Sequence, residues 1–245
     1  PTRINKIFYI PKYFCYSSYE KKLFEKTEAK ILEYVPVGSL RASNFLSHVK
    51  TKNLKLEKTK YDICLIGEPA SNSFQDFPYV DNFIELSGKI AEYTHRVCKK
   101  NKLNLIFSGK NSKFDPYLEE EELYYKNFLS NYDFKIVPRS ESFSTFINAC
   151  QSKLIIGHCS TFLREAFALE KKVLVCNLSG HKDLIFPSKG TCYLEKFDYE
   201  TFEKKVLNLI EMPLSEYYEG MSESPKMVLN QNKDTADIIK NEILK

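Results

Sequence analysis

The stretch KLIIGHCSTFLREAFALEKKVLVCN, residues 153–177, decides the fold class. Two short apolar runs, KLIIG (153–157) and KVLVCN (172–177), flank a helical segment that opens on Cys159-Ser160-Thr161. Runs this short and continuous are strands buried on both faces, the pattern of a parallel sheet. Strand, helix and strand in succession make one βαβ crossover. The chain turns at Gly157, which permits a tight turn and close approach of a ligand. Ser160 or Cys159 then stands at the helix N-cap, with Thr161 in the first turn.

Working outward, the same alternation recurs. YDICLIG (61–67), LNLIFSG (103–109), FKIVP (134–138) and GTCYLE (190–195) read as further strands. Helical patterns occupy 81–100, 118–132 and 142–152, with two more near 199–212 and 233–244. Phe143, Phe146, Ile147 and Cys150 fall on one helical face. The acidic first turn of LEEEELYYKNFLSNY suits the positive end of a helix dipole. On the amino side, KIFYI (6–10) predicts a strand and 19–30 a charged helix. Residues 31–49 predict a short strand, a turn at Val37-Gly38-Ser39 and a helix. The Lys-rich segment 50–60 is the best linker.

The expected fold is therefore α/β. A Rossmann-like parallel sheet with helices on both faces fills 56–245, and 1–55 is a partial preceding lobe with its linker. Such sheets bind ligands beyond the carboxyl ends of their strands. The loops after Gly67, Gly109, Pro138, Gly157 and Asn177 belong to that edge.

Composition narrows the function. Net charge is +4 and spread along the chain. Without a basic block or an aromatic-basic motif, it does not indicate a nucleic-acid partner. CKK (98–100) and EKK (170–172) read as solvated helix ends. The seven cysteines are an odd number with no C-x-x-C, and several lie inside apolar strands. They read as buried free thiols of a reducing compartment. Four scattered histidines give no zinc spacing, so no metal is expected. No apolar run of 18 residues spans a membrane. The sequence opens on PTRINKIFYI, part-way into a strand pattern, as a fragment or a processed chain would.

The chemistry gathers at the helix after Gly157. The first amides of a helix lack internal partners and carry the positive dipole end. With the hydroxyls of Ser160 and Thr161 they make a phosphate seat. Glu165 lies a little over one turn deeper, where a carboxylate can accept bonds from ribose hydroxyls. Arg164 suits phosphate or solvent. Ser and Thr also open helices purely as caps, and neither a Walker motif nor G-x-G-x-x-G is present.

The segment ACQSKLIIGHCSTFLREAFALEKKVLVCN resembles the donor-binding lobe of GT-B glycosyltransferases of bacterial surface-polysaccharide biosynthesis, those of capsule or lipopolysaccharide. CDP-glycerol phosphotransferases are more distant relatives. PVGSLRASNFL (36–46) is similar to the segment joining the two lobes, and IFSGKNS (106–112) to a glycine-lysine loop near the donor phosphates. FDYETFEKKVLNLIEMPLSEYYEGM (197–221) is similar to the C-terminal helical pair. The resemblance covers roughly 31 to 245.

It implies a transferase that moves a sugar from a CMP-, CDP- or UDP-linked donor to a glycan or lipid-linked acceptor, with no bound cofactor. Ser160, Thr161, Lys110 and His158 would hold the donor phosphates and Glu165 the ribose. Val137 and Arg139 would rim the base. Arg164 and His181 would touch phosphate or acceptor. The catalytic base is unassigned, because the acceptor side belongs to a first lobe of which this chain has only the end. A second lobe or a partner chain is implied, and a cytoplasmic place, with peripheral contact at the inner membrane face left open. Two alternatives stand beside this: a CDP-polyol phosphotransferase, and a non-catalytic single-lobed module that binds a nucleotide or a partner subunit.

Overall fold

The computed structural model describes residues 9–56, 58–68, 83–140, 143–158, 160–178, 186–195, 198–231 and 234–244. The chain divides into two compact units. One joins Pro1–Leu54 to Glu223–Lys245, and the other is Lys55–Ser222.

In the first unit, β1 (Tyr9–Cys15) and β2 (Lys30–Pro36) pair in parallel across α1 (Tyr19–Phe24). The charged helix expected over 19–30 stops early for a local reason. The Thr27 hydroxyl donates to the Phe24 carbonyl (2.8 Å) and accepts from the Ala29 amide (3.2 Å), which draws the chain out of the helix. The expected turn lies at Gly38, whose φ of 83° is left-handed. Ser39 then caps α2 (Leu40–Thr51) by accepting from the Ala42 amide. Two short helices complete this unit, α9 (Pro225–Val228) and α10 (Thr235–Ile243). Residues 223–245, grouped by sequence with the second lobe, cluster with the first. Lys12 reaches the Glu242 carboxylate at 2.9 Å, and the Thr235 hydroxyl donates to the Val37 carbonyl at 2.9 Å.

The second unit carries a six-stranded sheet. Its strands are β3 (Tyr61–Ile66), β4 (Leu105–Ser112), β5 (Ile136–Arg139), β6 (Ser152–Gly157), β7 (Val173–Cys176) and β8 (Tyr193–Leu194). All pairings are parallel, in the order β5-β4-β3-β6-β7-β8. The central strands are buried almost throughout, as their unbroken apolar runs require. The helices are α3 (Phe83–Asn101), α4 (Leu118–Leu129), α5 (Ser144–Cys150), α6 (Thr161–Ala168), α7 (Tyr199–Glu211) and α8 (Leu214–Glu219). By their contacts α3 joins α4 and α7, while α5 joins α6, giving one helix layer on each face. Aromatic pairs mark both: Tyr93 meets Phe202 at 5.7 Å, and Phe146 meets Phe162 at 4.9 Å.

One lysine departs from its sequence reading. EKK was expected to be a solvated helix end, yet the Lys172 ammonium donates to the carbonyls of Leu209 (2.6 Å), Ile210 (3.0 Å) and Met212 (2.8 Å). These lie at the carboxyl end of α7, where the last carbonyls lack helical partners and the dipole favours a cation. Lys172→Met keeps most of the stem but leaves those carbonyls without the ammonium. Chemical denaturation should register a loss of about 2 kcal/mol, the scale of charged hydrogen bonds. An unchanged midpoint would show that water replaces the lysine at no cost.

Candidate functional site at the sheet switch point

From β3 the connections run outward through β4 to β5, and then the chain crosses back to β6 and continues to β7 and β8. The winding reverses between β3 and β6, which are hydrogen-bonded neighbours at the centre. At such a switch point the two outgoing loops diverge and leave a crevice beyond the carboxyl ends. Gly67 and Glu68 follow β3 there. Gly157, the last residue of β6, leads through His158 to Ser160 and α6.

The helix opens as its sequence predicts. Ser160 is the N-cap in extended conformation (ψ 133°), but its hydroxyl makes no capping bond to the helix. Thr161 is exposed and Ser160 half-buried. Glu165 is 4% exposed, a buried carboxylate one turn in, and Arg164 is half-buried. Gly157 serves packing: a Cβ there would lie 3.1 Å from Leu163 Cδ1.

His158 is 1% exposed, and its Nδ1 shares a 3.1 Å hydrogen bond with the Ser87 hydroxyl of α3. Burial pulls its pKa down to about 4. At neutral pH it is an uncharged imidazole, so it offers hydrogen bonding and no cation.

The glycine-lysine loop is built differently from the expectation. β4 pairs with β3 only as far as Ser108 and then runs on to Ser112, beside Arg139 of β5, after a register shift. The amides of Lys110 and Asn111 donate to the Glu121 carboxylate at 2.8 and 3.1 Å. Glu121 is 1% exposed, and its burial raises its pKa. It comes from the acidic run at the start of α4, read from sequence only as a match to the helix dipole. A Cβ on Gly67 would lie 2.9 Å from its Oε1, so the glycine makes room for this carboxylate. An internal anion thus engages the two amides, and Lys110 presents its exposed side chain.

Val137 and Arg139 lie on β5, an edge strand separated from β6 by β4 and β3. His181 and Cys159 lie outside the described residues. Sequence reasoning missed Glu68, Ser87, Glu121 and Asn177, all buried polar groups. Glu68 had a signal, a carboxylate straight after the glycine of a buried strand. Ser87, in mid-helix, had none. Asn177 follows β7 and donates to the Tyr193 hydroxyl at 2.8 Å. A cavity of 410 Å3 lined by His95, Tyr132 and Phe134 lies at the amino ends of β4 and β5, the edge opposite the switch point.

A parallel, doubly wound sheet of this strand order is Rossmann-like, the architecture of a GT-B lobe. More particularly, residues 32–241 match the model of the family described as "putative O-antigen biosynthesis protein", and the chain belongs to that family. No curated protein matches it in sequence. Among solved structures it is similar to sucrose-phosphate synthase from Thermosynechococcus elongatus, at 12% identity and a TM-score of 0.53, covering 95% of this chain and 57% of that one. It is also similar to the UDP-GlcNAc 2-epimerase of Neisseria meningitidis, solved with UDP-GlcNAc, at 16% identity and a TM-score of 0.51, covering 93% and 58%. The chain thus spans under two thirds of the length of these structures. Among the described residues no helix is long and apolar enough to cross a membrane.

Proposed function

We propose that the unit of residues 55–222 is the donor-binding lobe of a glycosyltransferase that moves a sugar from a nucleotide donor onto a surface glycan. The observation that carries this is the coincidence of the β3–β6 switch point with the amino end of α6. The family's link to O-antigen biosynthesis supports the glycan, and the UDP-GlcNAc bound by the Neisseria epimerase supports a nucleotide-sugar donor.

In this reading Ser160, Thr161 and the first amides of α6 hold the donor phosphates. The Lys110 ammonium, with Arg164, supplies positive charge at the leaving group. Glu165 accepts from the ribose hydroxyls. His158 is a neutral hydrogen-bonding partner held by Ser87. Val137 and Arg139 rim the base, and His181 contacts phosphate or acceptor. The donor is of CMP, CDP or UDP type. Preorganised donors aimed at a departing pyrophosphate stabilise its charge in the transition state, which is the chemistry such a seat supplies. The parallel β1–α1–β2 unit is the end of a first lobe, and the remainder of that lobe, or a partner chain, brings the acceptor side and the catalytic base.

A thermal-shift series with CMP, CDP, UDP, GDP and NAD tests the donor seat. One pyrimidine nucleotide at 100 times its Kd should stabilise the chain by about 2.7 kcal/mol. Glu165→Gln and Ser160→Ala should each reduce that gain. If both variants are stabilised as fully as the parent chain, the seat lies elsewhere.

A further inference from the structure

The cavity at the amino ends of β4 and β5 contains a polar group that the fold leaves unused. His95, in the second half of α3, is 7% exposed and lines this 410 Å3 cavity. Its Nδ1 donates to the Ala91 carbonyl at 2.9 Å. A carbonyl can only accept, so the proton of the neutral ring sits on Nδ1 and Nε2 keeps a bare lone pair. Burial lowers the pKa of His95, which holds the ring neutral at pH 7. Among the described residues nothing donates to Nε2. With Nδ1 turned back to its own helix, Nε2 is the polar atom that His95 offers to the cavity. An acceptor more than nine-tenths buried and without a protein donor is an exception that asks for a reason.

The surroundings select the ligand. Three rings enclose the imidazole, Phe107 at 5.8 Å, Tyr132 at 6.1 Å and Phe134 at 6.2 Å. Such rings pair edge to face with a further aromatic ring. Leu103 and Leu105 extend the wall, and they, Tyr132 and Phe134 are only half-buried, so apolar surface stays open to an occupant. The exposed members of the lining are Lys99, Lys135 and Asp133. Lys99 lies 5.6 Å from the Tyr132 ring, in the last turn of α3, where the helix dipole alone favours a cation. Lys135 has no such reason, since it stands in the extended segment ahead of β5. Among the described residues neither lysine forms an ion pair. Arg96, which lines an adjoining cavity with Lys99 and Tyr132, adds a third cation against the one carboxylate. We propose that this cavity binds a small aromatic acid whose ring carries a hydrogen-bond donor. The ring O–H or N–H donates to His95 Nε2, the ring lies among Phe107, Tyr132 and Phe134, and the acid group meets Lys99 and Lys135. The site is on the sheet edge opposite the proposed donor seat and does not depend on it.

Three probes that differ by one group each test this in calorimetry with the whole chain. 4-Hydroxyphenylacetate carries ring, donor and acid, and should bind saturably. Phenylacetate lacks the donor and should bind about tenfold more weakly, the scale of one hydrogen bond to a buried acceptor. Tyramine keeps ring and hydroxyl but replaces the acid with an ammonium, and should not bind. Exchanging Lys99 and Lys135 together for glutamine should weaken 4-hydroxyphenylacetate about tenfold, and both are exposed, so the melting temperature should hold. His95→Phe keeps a ring in the wall and removes the acceptor, so the preference for 4-hydroxyphenylacetate over phenylacetate should vanish in it. No saturable binding of 4-hydroxyphenylacetate, equal affinity for phenylacetate, or full affinity in the lysine pair variant would each overturn the site. Those three readings stand even where His95→Phe does not fold, and whether or not any nucleotide stabilises the chain.

Discussion

Tyr217→Phe should lower the stability of the chain by about 3 kcal/mol, through the loss of one oxygen atom. Tyr217 lies on α8 with no solvent exposure. Its hydroxyl accepts from the Val173 amide at 2.9 Å and donates to the Val173 carbonyl at 2.7 Å. Val173 opens β7, and its polar groups point away from β6 toward the β8 side. There β8 begins pairing only at Val175, so the first rung of that ladder has no strand. The tyrosine hydroxyl supplies the rung. Phenylalanine fills the same space but strands a buried donor and a buried acceptor, each costing about 1–3 kcal/mol. In a chain of this size that corresponds to a fall in Tm of about 10 °C. The slope of a urea titration should be unchanged, since the surface exposed on unfolding is the same. A loss below about 0.5 kcal/mol would mean that water reaches Val173.

Tyr217 also marks where sequence stops being legible. The strands from YDICLIG to KVLVCN declared themselves because a strand buried on both faces must be apolar along its whole length. The helices between them were visible through their 3.6-residue period, and α6 begins where Ser160 predicted. The helix α8 was legible only through the resemblance of 197–221 to a helical pair, and the short helix α9 was not visible, because a single turn is too brief to show a period. Nor was the role of Lys172, which is written in the carbonyls of another helix. At the candidate site, sequence could place residues on the carboxyl edge, since strand ends and loops set that position. It could not foresee that the acidic run of α4 turns Glu121 inward beneath Gly67 and Gly109. The same glycine-lysine signature serves a ligand phosphate or an internal carboxylate, and only the fold chooses between them.

His158 shows the same limit in a titratable group, and it makes the chain acid-sensitive. Its pKa falls from 6.5 to about 4 through burial alone. Between those values the unfolded chain binds a proton that the folded chain does not. Stability therefore rises with pH across this window, and falls as pH drops from 6.5 to 4. A pKa fall of this size corresponds to about 3 kcal/mol. The buried His95 is also held below its ordinary value by burial, and so adds to the loss in the same direction. Asparagine can keep a hydrogen bond to Ser87 while removing the titration. His158→Asn should therefore be less stable than the parent at pH 7, where the lost packing counts, but its denaturation midpoint should change less between pH 7 and pH 4. Parallel curves for parent and variant would show that His158 is protonated as readily in the fold as in the unfolded chain. The neutral imidazole has a functional consequence in the donor-lobe reading. If His158 cannot carry charge at neutral pH, the positive potential at the phosphate seat must come from Lys110, Arg164 and the amides of α6.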